Sequence, residues 1–211
     1  MKKQLFSFII FLVVFSINGF TQIEMRPKYM PFGEKHRNVI DENERKQGVW
    51  KVYSRDGVLI SETTYQNDIK HGPCLKYHSS TGVLLEESNY FNGVKDGEYK
   101  KYDITGEINR EGAYKNGRKT GKWTYYYRVN GEKKAEGEFK NNKKEGEWKY
   151  YTSKGKPLSS GSYKNNLKEG EWKYFDSEGN LVQTIFYIND MVKSDATDTK
   201  NSTKPITPKK K

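Results

Sequence analysis

The 211 residues are 33% hydrophobic yet 14% aromatic, with 16 Tyr against 10 Phe and 4 Trp, at a mean hydropathy of -1.01. That balance excludes a globule around a thick aliphatic core and calls for something thin, packed by amphipathic rings. The net charge of +11 does not indicate nucleic acid, because residues 48–190 carry 24 basic and 20 acidic side chains in mixed order, not the one-sided field of a phosphate-tracking groove.

At the start of the chain, Met1-Lys2-Lys3 precede an apolar run from Leu5 to Phe15, broken only by Ser7, and then Asn18-Gly19-Phe20-Thr21-Gln22. This is the pattern of a signal peptide over residues 1–21, cleaved before Gln22. The run falls short of the roughly 20 residues that span a bilayer, and no cysteine follows to take a lipid. The expectation is an exported protein: periplasmic, on the outer surface, or secreted. Residues 22–47, with Pro27 and Pro31, read as an irregular N-terminal arm or cap.

From residue 48 to 190 the chain repeats. Glycines recur at Gly48, Gly72, Gly97, Gly121, Gly146 and Gly170, and two residues after each stands Trp50, Cys74, Tyr99, Trp123, Trp148 or Trp172. Five residues after each comes Tyr53, Tyr77, Tyr102, Tyr126, Tyr151 or Phe175. A second glycine follows (Gly57, Gly82, Gly106, Gly131, Gly155, Gly179), and eight residues beyond it is Tyr65, Tyr90, Tyr114, Phe139, Tyr163 or Tyr187. Copies differ in length only between the first strand and the second glycine, which marks a loop there and paired strands elsewhere. The Asn that precedes each leading glycine by five is followed by Gly or Asn in four copies, by Asp68 in another and by Glu44 in the first. Asn-Gly and Asn-Asn suit the positive φ of tight hairpin turns. The reading is an all-β, elongated single-layer antiparallel sheet of six tandem β-hairpin repeats, starting near 48, 72, 97, 121, 146 and 170. Within it, Trp123, Trp148 and Trp172 are expected to lie over Gly112, Gly137 and Gly161. Residues 191–211, rich in Ser, Thr, Lys and Pro, read as a disordered tail.

The recurring Asn-Gly-x-Lys-x-Gly-Glu-Trp-Lys-Tyr-Tyr, seen best over Asn141–Tyr151 and Asn165–Phe175, resembles MORN-type repeats, and more closely the bacterial YwqK-type antitoxin repeat family. Pro73-Cys74 in the second copy and the aliphatic strand Leu181 to Ile188 depart from the pattern. The resemblance implies elongated antiparallel sheets used for protein or lipid contact, and a toxin-neutralising role in some members.

Motifs for catalysis are missing from the sequence: it has no phosphate loop, no Gly-x-Ser-x-Gly, no His-Glu-x-x-His and no Cys-x-x-Cys. No enzyme activity, cofactor or metal is expected; His71 and His78 in one repeat are a weak pair for a shared metal. Cys74, the single cysteine, reads as a small buried hydrophobe. The candidate binding residues are two columns. Trp50, Tyr99, Trp123, Trp148 and Trp172 are either the fold's own packing or a stacking platform for sugar or protein. Lys70, Lys95, Lys119, Lys144 and Lys168 either solubilise the turns or meet anionic groups. The expected partner is another protein, with anionic lipid or cell-surface polysaccharide as weaker alternatives, no nucleic acid, and oligomers by pairing of free sheet edges.

Overall fold

The structure is a computed structural model and describes residues 20–24 and 37–193. Among these, every regular element is a strand, and all belong to one 15-stranded antiparallel sheet in which strand order equals chain order. Strands β1 (Phe20–Glu24) and β2 (Arg37–Asp41) precede the repeats. The six copies supply twelve strands: β3 (Lys46–Tyr53) and β4 (Leu59–Gln66), β5 (Ile69–Tyr77) and β6 (Leu84–Phe91), β7 (Val94–Tyr102) and β8 (Ile108–Lys115). They continue as β9 (Arg118–Tyr126) and β10 (Lys133–Lys140), β11 (Lys143–Tyr151) and β12 (Pro157–Lys164), β13 (Leu167–Phe175) and β14 (Leu181–Ile188). A two-residue β15 (Met191–Val192) ends the sheet.

Two expectations need correction, at the two ends of the array. The stretch 22–47 is not wholly irregular, because it holds most of β1 and all of β2, and β2 pairs with β3. The first turn, at Asn43, differs from the later ones: only Glu44 there has positive φ, and the Asp41 carboxylate organises the bend by accepting from the backbone N–H groups of Asn43 and Arg45, both at 3.0 Å. Beyond Asn189-Asp190, Met191 and Val192 pair back onto β14, so the tail does not begin at 191. Residues 194–211 and the core of the expected signal peptide lie outside the described residues, and β1 straddles the expected cleavage point before Gln22.

The two-residue turns follow from side-chain chemistry. Asn67-Asp68, Asn92-Gly93, Asn116-Gly117, Asn141-Asn142, Asn165-Asn166 and Asn189-Asp190 all have positive φ at both positions, as a primed hairpin turn requires. The second residue also ties one copy to the previous one. Its N–H bonds the lysine carbonyl of that copy, as in Asn166 to Lys144 at 3.0 Å. Where it is Asn or Asp, its side chain accepts the same lysine's N–H, at 2.6 Å for Asn166 and 2.8 Å for Asp68. The loops on the opposite edge close from residue i to i+4, as Ser54 to Val58, or to i+5 in the longer copies, as His78 to Val83, so the extra residue sits in the loop as expected.

Each leading glycine lies inside a strand and not at its start. Its φ is positive, from 62° at Gly121 to 111° at Gly97, and from Gly72 onward the register against the preceding strand slips beside it, as between Gly137 and Glu138 opposite Gly146. This is a β-bulge that only glycine fits without strain. The slip leaves a backbone carbonyl without its ladder partner, and the tryptophan two residues on supplies one. The indole N–H of Trp148 donates to Glu138 O at 3.1 Å, that of Trp123 to Ala113 O at 3.1 Å, and that of Trp172 to Ser162 O at 3.0 Å. Glycine and tryptophan therefore form one device, bulge and patch, repeated along the sheet.

Candidate functional site

One face of the sheet carries both predicted columns. Tyr99, Trp123, Trp148 and Trp172 are buried, the three tryptophans at 0–1% exposure. Each tryptophan lies over the glycine opposite it in the preceding strand: a methyl added to Gly112, Gly137 or Gly161 would fall inside the indole of Trp123, Trp148 or Trp172, as the sequence led us to expect. The rings join into a run of nearly constant tilt. Tyr99–Trp123, Trp123–Tyr125, Tyr125–Trp148, Trp148–Tyr150, Tyr150–Trp172 and Trp172–Tyr174 have centroids 5.7–6.4 Å apart and interplanar angles of 30–37°. Trp50 is half-buried and meets Tyr65 edge-on at 6.3 Å. With their faces covered, Trp123, Trp148 and Trp172 pack the sheet itself.

The lysines are not turn residues either. Lys70, Lys95, Lys119, Lys144 and Lys168 are each the second residue of a strand and half-buried, with the ammonium turned onto the rings. Lys119 Nζ stands 4.3 Å from the Trp123 ring and 4.8 Å from Phe139. Lys144 Nζ is 4.3 Å from Trp148 and 4.7 Å from Tyr163, and Lys168 Nζ is 4.5 Å from Trp172 and 4.7 Å from Tyr187. Lys95 and Lys70 sit over Tyr99 and Tyr90 at 4.5 and 5.1 Å. Three of them also donate to a tyrosine hydroxyl: Lys119 to Tyr125, Lys144 to Tyr150 and Lys168 to Tyr174, at 2.7–3.1 Å. Burial lowers the pKa of Lys119 and of Lys144, and neighbouring cations add to the effect. The negative ring faces compensate the ammonium charge, so this column is an internal ladder of cations and rings.

The opposite face has its own ladder, which sequence reading missed. Tyr77, Tyr102, Tyr126 and Tyr151 donate their hydroxyls to Glu62, Glu87, Glu111 and Glu136 of the preceding copy, at 2.6–3.2 Å. Burial first, and then the carboxylate, pushes each of these phenols up to about 12. Hydrogen bonds from Lys122 and then Tyr151 hold Glu136 at about 2. A signal was present in the sequence: the copy that has Phe175 in place of tyrosine is the one that follows Ser160 in place of glutamate.

Among the described residues no three His, Cys, Asp or Glu side chains gather as a metal site. The His71 ring lies tilted against Phe91 at 5.0 Å, while His78 bonds the hydroxyls of Ser80 and Thr81. Cys74 is 1% exposed, with its sulfur 3.4 Å from the Thr63 hydroxyl. The exposed large apolar side chains stand at positions whose residue type varies between copies: Ile69, Val94 and Leu167 occupy the position that holds Arg118 and Lys143 in two other copies. Ile69, Phe91 and Val94, the last two paired across one turn, lie near the turns that open the second and third copies, and Leu181, Val182, Phe186, Ile188, Met191 and Val192 lie at the C-terminal edge. No helix among the described residues is long and apolar enough to cross a membrane.

Comparison with known proteins agrees with this geometry. Residues 46–67, 144–165 and 168–189, which are the first, fifth and sixth copies, match the family model described as MORN repeat variant. No curated protein matches the chain. Among solved structures, the chain is similar at 13% identity and a TM-score of 0.13 to alternansucrase in complex with isomaltononaose, a likeness too slight to carry an argument. It covers 82% of this chain and 18% of that one. By fold, the molecule is an all-β array of consecutive hairpins consistent with MORN repeats, three of whose six copies match the repeat variant directly.

Proposed function

We propose that this chain is an exported, non-catalytic repeat scaffold that binds another protein. One observation carries the reading. The residues common to the copies bond to one another, as ring to lysine, indole to bulge carbonyl and phenol to carboxylate, whereas the exposed apolar residues stand where other copies carry charged ones, as Arg118 and Lys143 do at the position of Ile69 and Val94, and Lys115, Lys140 and Lys164 at that of Phe91. Positions alike in the copies thus build the sheet, and variable ones give it an individual surface. Clustered exposed apolar side chains mark interaction sites on soluble proteins, and Ile69, Phe91 and Val94 provide such a cluster at 45–57% exposure. Anionic lipid or polysaccharide is the weaker partner, because the lysines that would bind it are turned onto their own rings.

The test is a pull-down from envelope extracts of the source cells with residues 22–211, beside the variant Ile69→Ser/Phe91→Ser/Val94→Ser. A single protein retained by the parent and lost by the variant is the expected result, and a toxin as that protein would make the scaffold an antitoxin. Retention of lipid or polysaccharide alone would contradict the reading. Export is checked on the protein recovered from the cells, whose first residue should be Gln22.

A further inference from the structure

The ring ladder does not run the whole length of its face. Tyr125, Tyr150 and Tyr174 extend it in the last three copies, but the matching positions of the second and third copies are Lys76 and Lys101. Between those strands stands Glu86, in register with both. Where the rings stop, a groove of about 610 Å³ opens beside the loops, within the size range of ligand sites. Its apolar wall comes from Ile60, Leu85 and Ile104, the last 62% exposed.

The charges around this groove are asymmetric. Its two acids are tucked away and already engaged. The Glu86 side chain is 15% exposed, bonds Lys95 at 2.8 Å and accepts from the Tyr99 hydroxyl at 3.3 Å. The Asp103 side chain is 7% exposed and caps its own loop through Thr105 N–H at 2.8 Å. Both carboxyls lie below the ordinary range, Glu86 because Lys95 outweighs its burial, Asp103 through its bonds to Thr105. The cations face water instead: Lys76 is 51% and Arg128 66% exposed, with their nearest carboxylates at 3.8 and 3.9 Å. Lys101 lines the same groove.

We propose that this groove docks an extended segment of a partner protein in which apolar side chains alternate with carboxylates, an inference that rests on the scaffold reading. The apolar wall takes the aliphatic side chains, and Lys76, Lys101 and Arg128 pair with the acids. Three cations around two carboxylates, one of them already paired with Lys95 and both less exposed than Lys76 and Arg128, fit a few discrete charges. They do not make the broad cationic field that an anionic lipid surface requires.

The probes are three fluorescein-labelled eight-residue peptides: Ser-Glu-Leu-Glu-Ile-Asp-Leu-Ser, its analogue with Gln and Asn replacing the acids, and its analogue with Ser replacing Leu and Ile. Binding to residues 22–211 is read by fluorescence anisotropy. The first peptide should bind, and both analogues at least about tenfold more weakly, as expected when charge and apolar contact act together. Lys76→Ala/Lys101→Ala/Arg128→Ala should lose at least about tenfold and Ile104→Ser less, while Lys140→Ala/Lys154→Ala/Lys164→Ala on exposed sites elsewhere should not change. Circular dichroism should show all variants folded as the parent. No binding of the first peptide, equal binding of the three, or equal loss in the control variant overturns the proposal. So does preferential binding of phosphatidylglycerol vesicles that the groove variant abolishes. A silent groove beside a pull-down that still retains a protein removes this site and leaves the scaffold reading standing.

Discussion

At the scale of single residues, the lysine column shows how misleading a regular charge can be. Read along the chain, a lysine two positions before every leading glycine suggests a row of surface cations. In the fold the ammonium lies over the rings, and at Lys119, Lys144 and Lys168 it is held between a tryptophan and the aromatic residue of the next strand. Cation–π contacts at partly desolvated sites contribute about 1–2 kcal/mol, and the aliphatic stem adds packing of its own. Lys144→Ala should therefore destabilise the protein by about 1–3 kcal/mol in urea denaturation. Lys149→Ala, on an exposed side chain of the same strand, should stay within about 0.5 kcal/mol. Equal effects would mean that the ladder does not hold the sheet.

At the scale of the element, the unit of construction is a cross-strand pair. Gly112, Gly137 and Gly161 lie under Trp123, Trp148 and Trp172 of the following strand, but Tyr99 faces Ser88 and Cys74 faces Thr63. Opposite the tryptophans the preceding strand is bare, and opposite the smaller residues it carries a side chain. Ile185 stands where the next glycine would be, and no tryptophan of a further copy lies over it. Overfilling such a site costs about 1–3 kcal/mol. Gly137→Ser should cost at least that much, because the indole of Trp148 is buried and cannot withdraw. The double variant Gly137→Ser/Trp148→Tyr, which copies the Ser88–Tyr99 pair, should be more stable than the sum of its single changes by about 1 kcal/mol or more. Strict additivity in thermal melts would show that the pairing is incidental.

At the scale of the whole molecule, most of the architecture could be read from the chain because its period is set by turn and strand chemistry that acts locally. The Asn-Asn and Asn-Gly turns and the loop that absorbs length changes follow from residues a few positions apart, and the indoles over Gly112, Gly137 and Gly161 follow from residue types that recur at a fixed spacing. What escaped sequence reading depends on cross-strand register and on side-chain bonds between copies. The bulges at the leading glycines, the turn side chains that accept from the previous copy's lysine, and the Tyr–Glu ladder join residues 10 to 23 apart in number. The pairing of β2 escaped because Arg37–Asp41 carries no repeat signature, and the groove escaped because it is an interruption of the pattern. In a sheet where each strand pairs only with its sequence neighbours, stability is a sum of local units and next-neighbour contacts. It should rise where the ring ladder is continuous.

Native-state amide hydrogen exchange on residues 22–211 tests that most directly. The slowest amides should lie in β9 to β13, around Trp123, Trp148 and Trp172, with faster exchange in β3 to β6, where Thr63–Cys74 replaces the glycine–tryptophan device. Uniform protection along the array, or slowest exchange in the first two copies, would contradict the account.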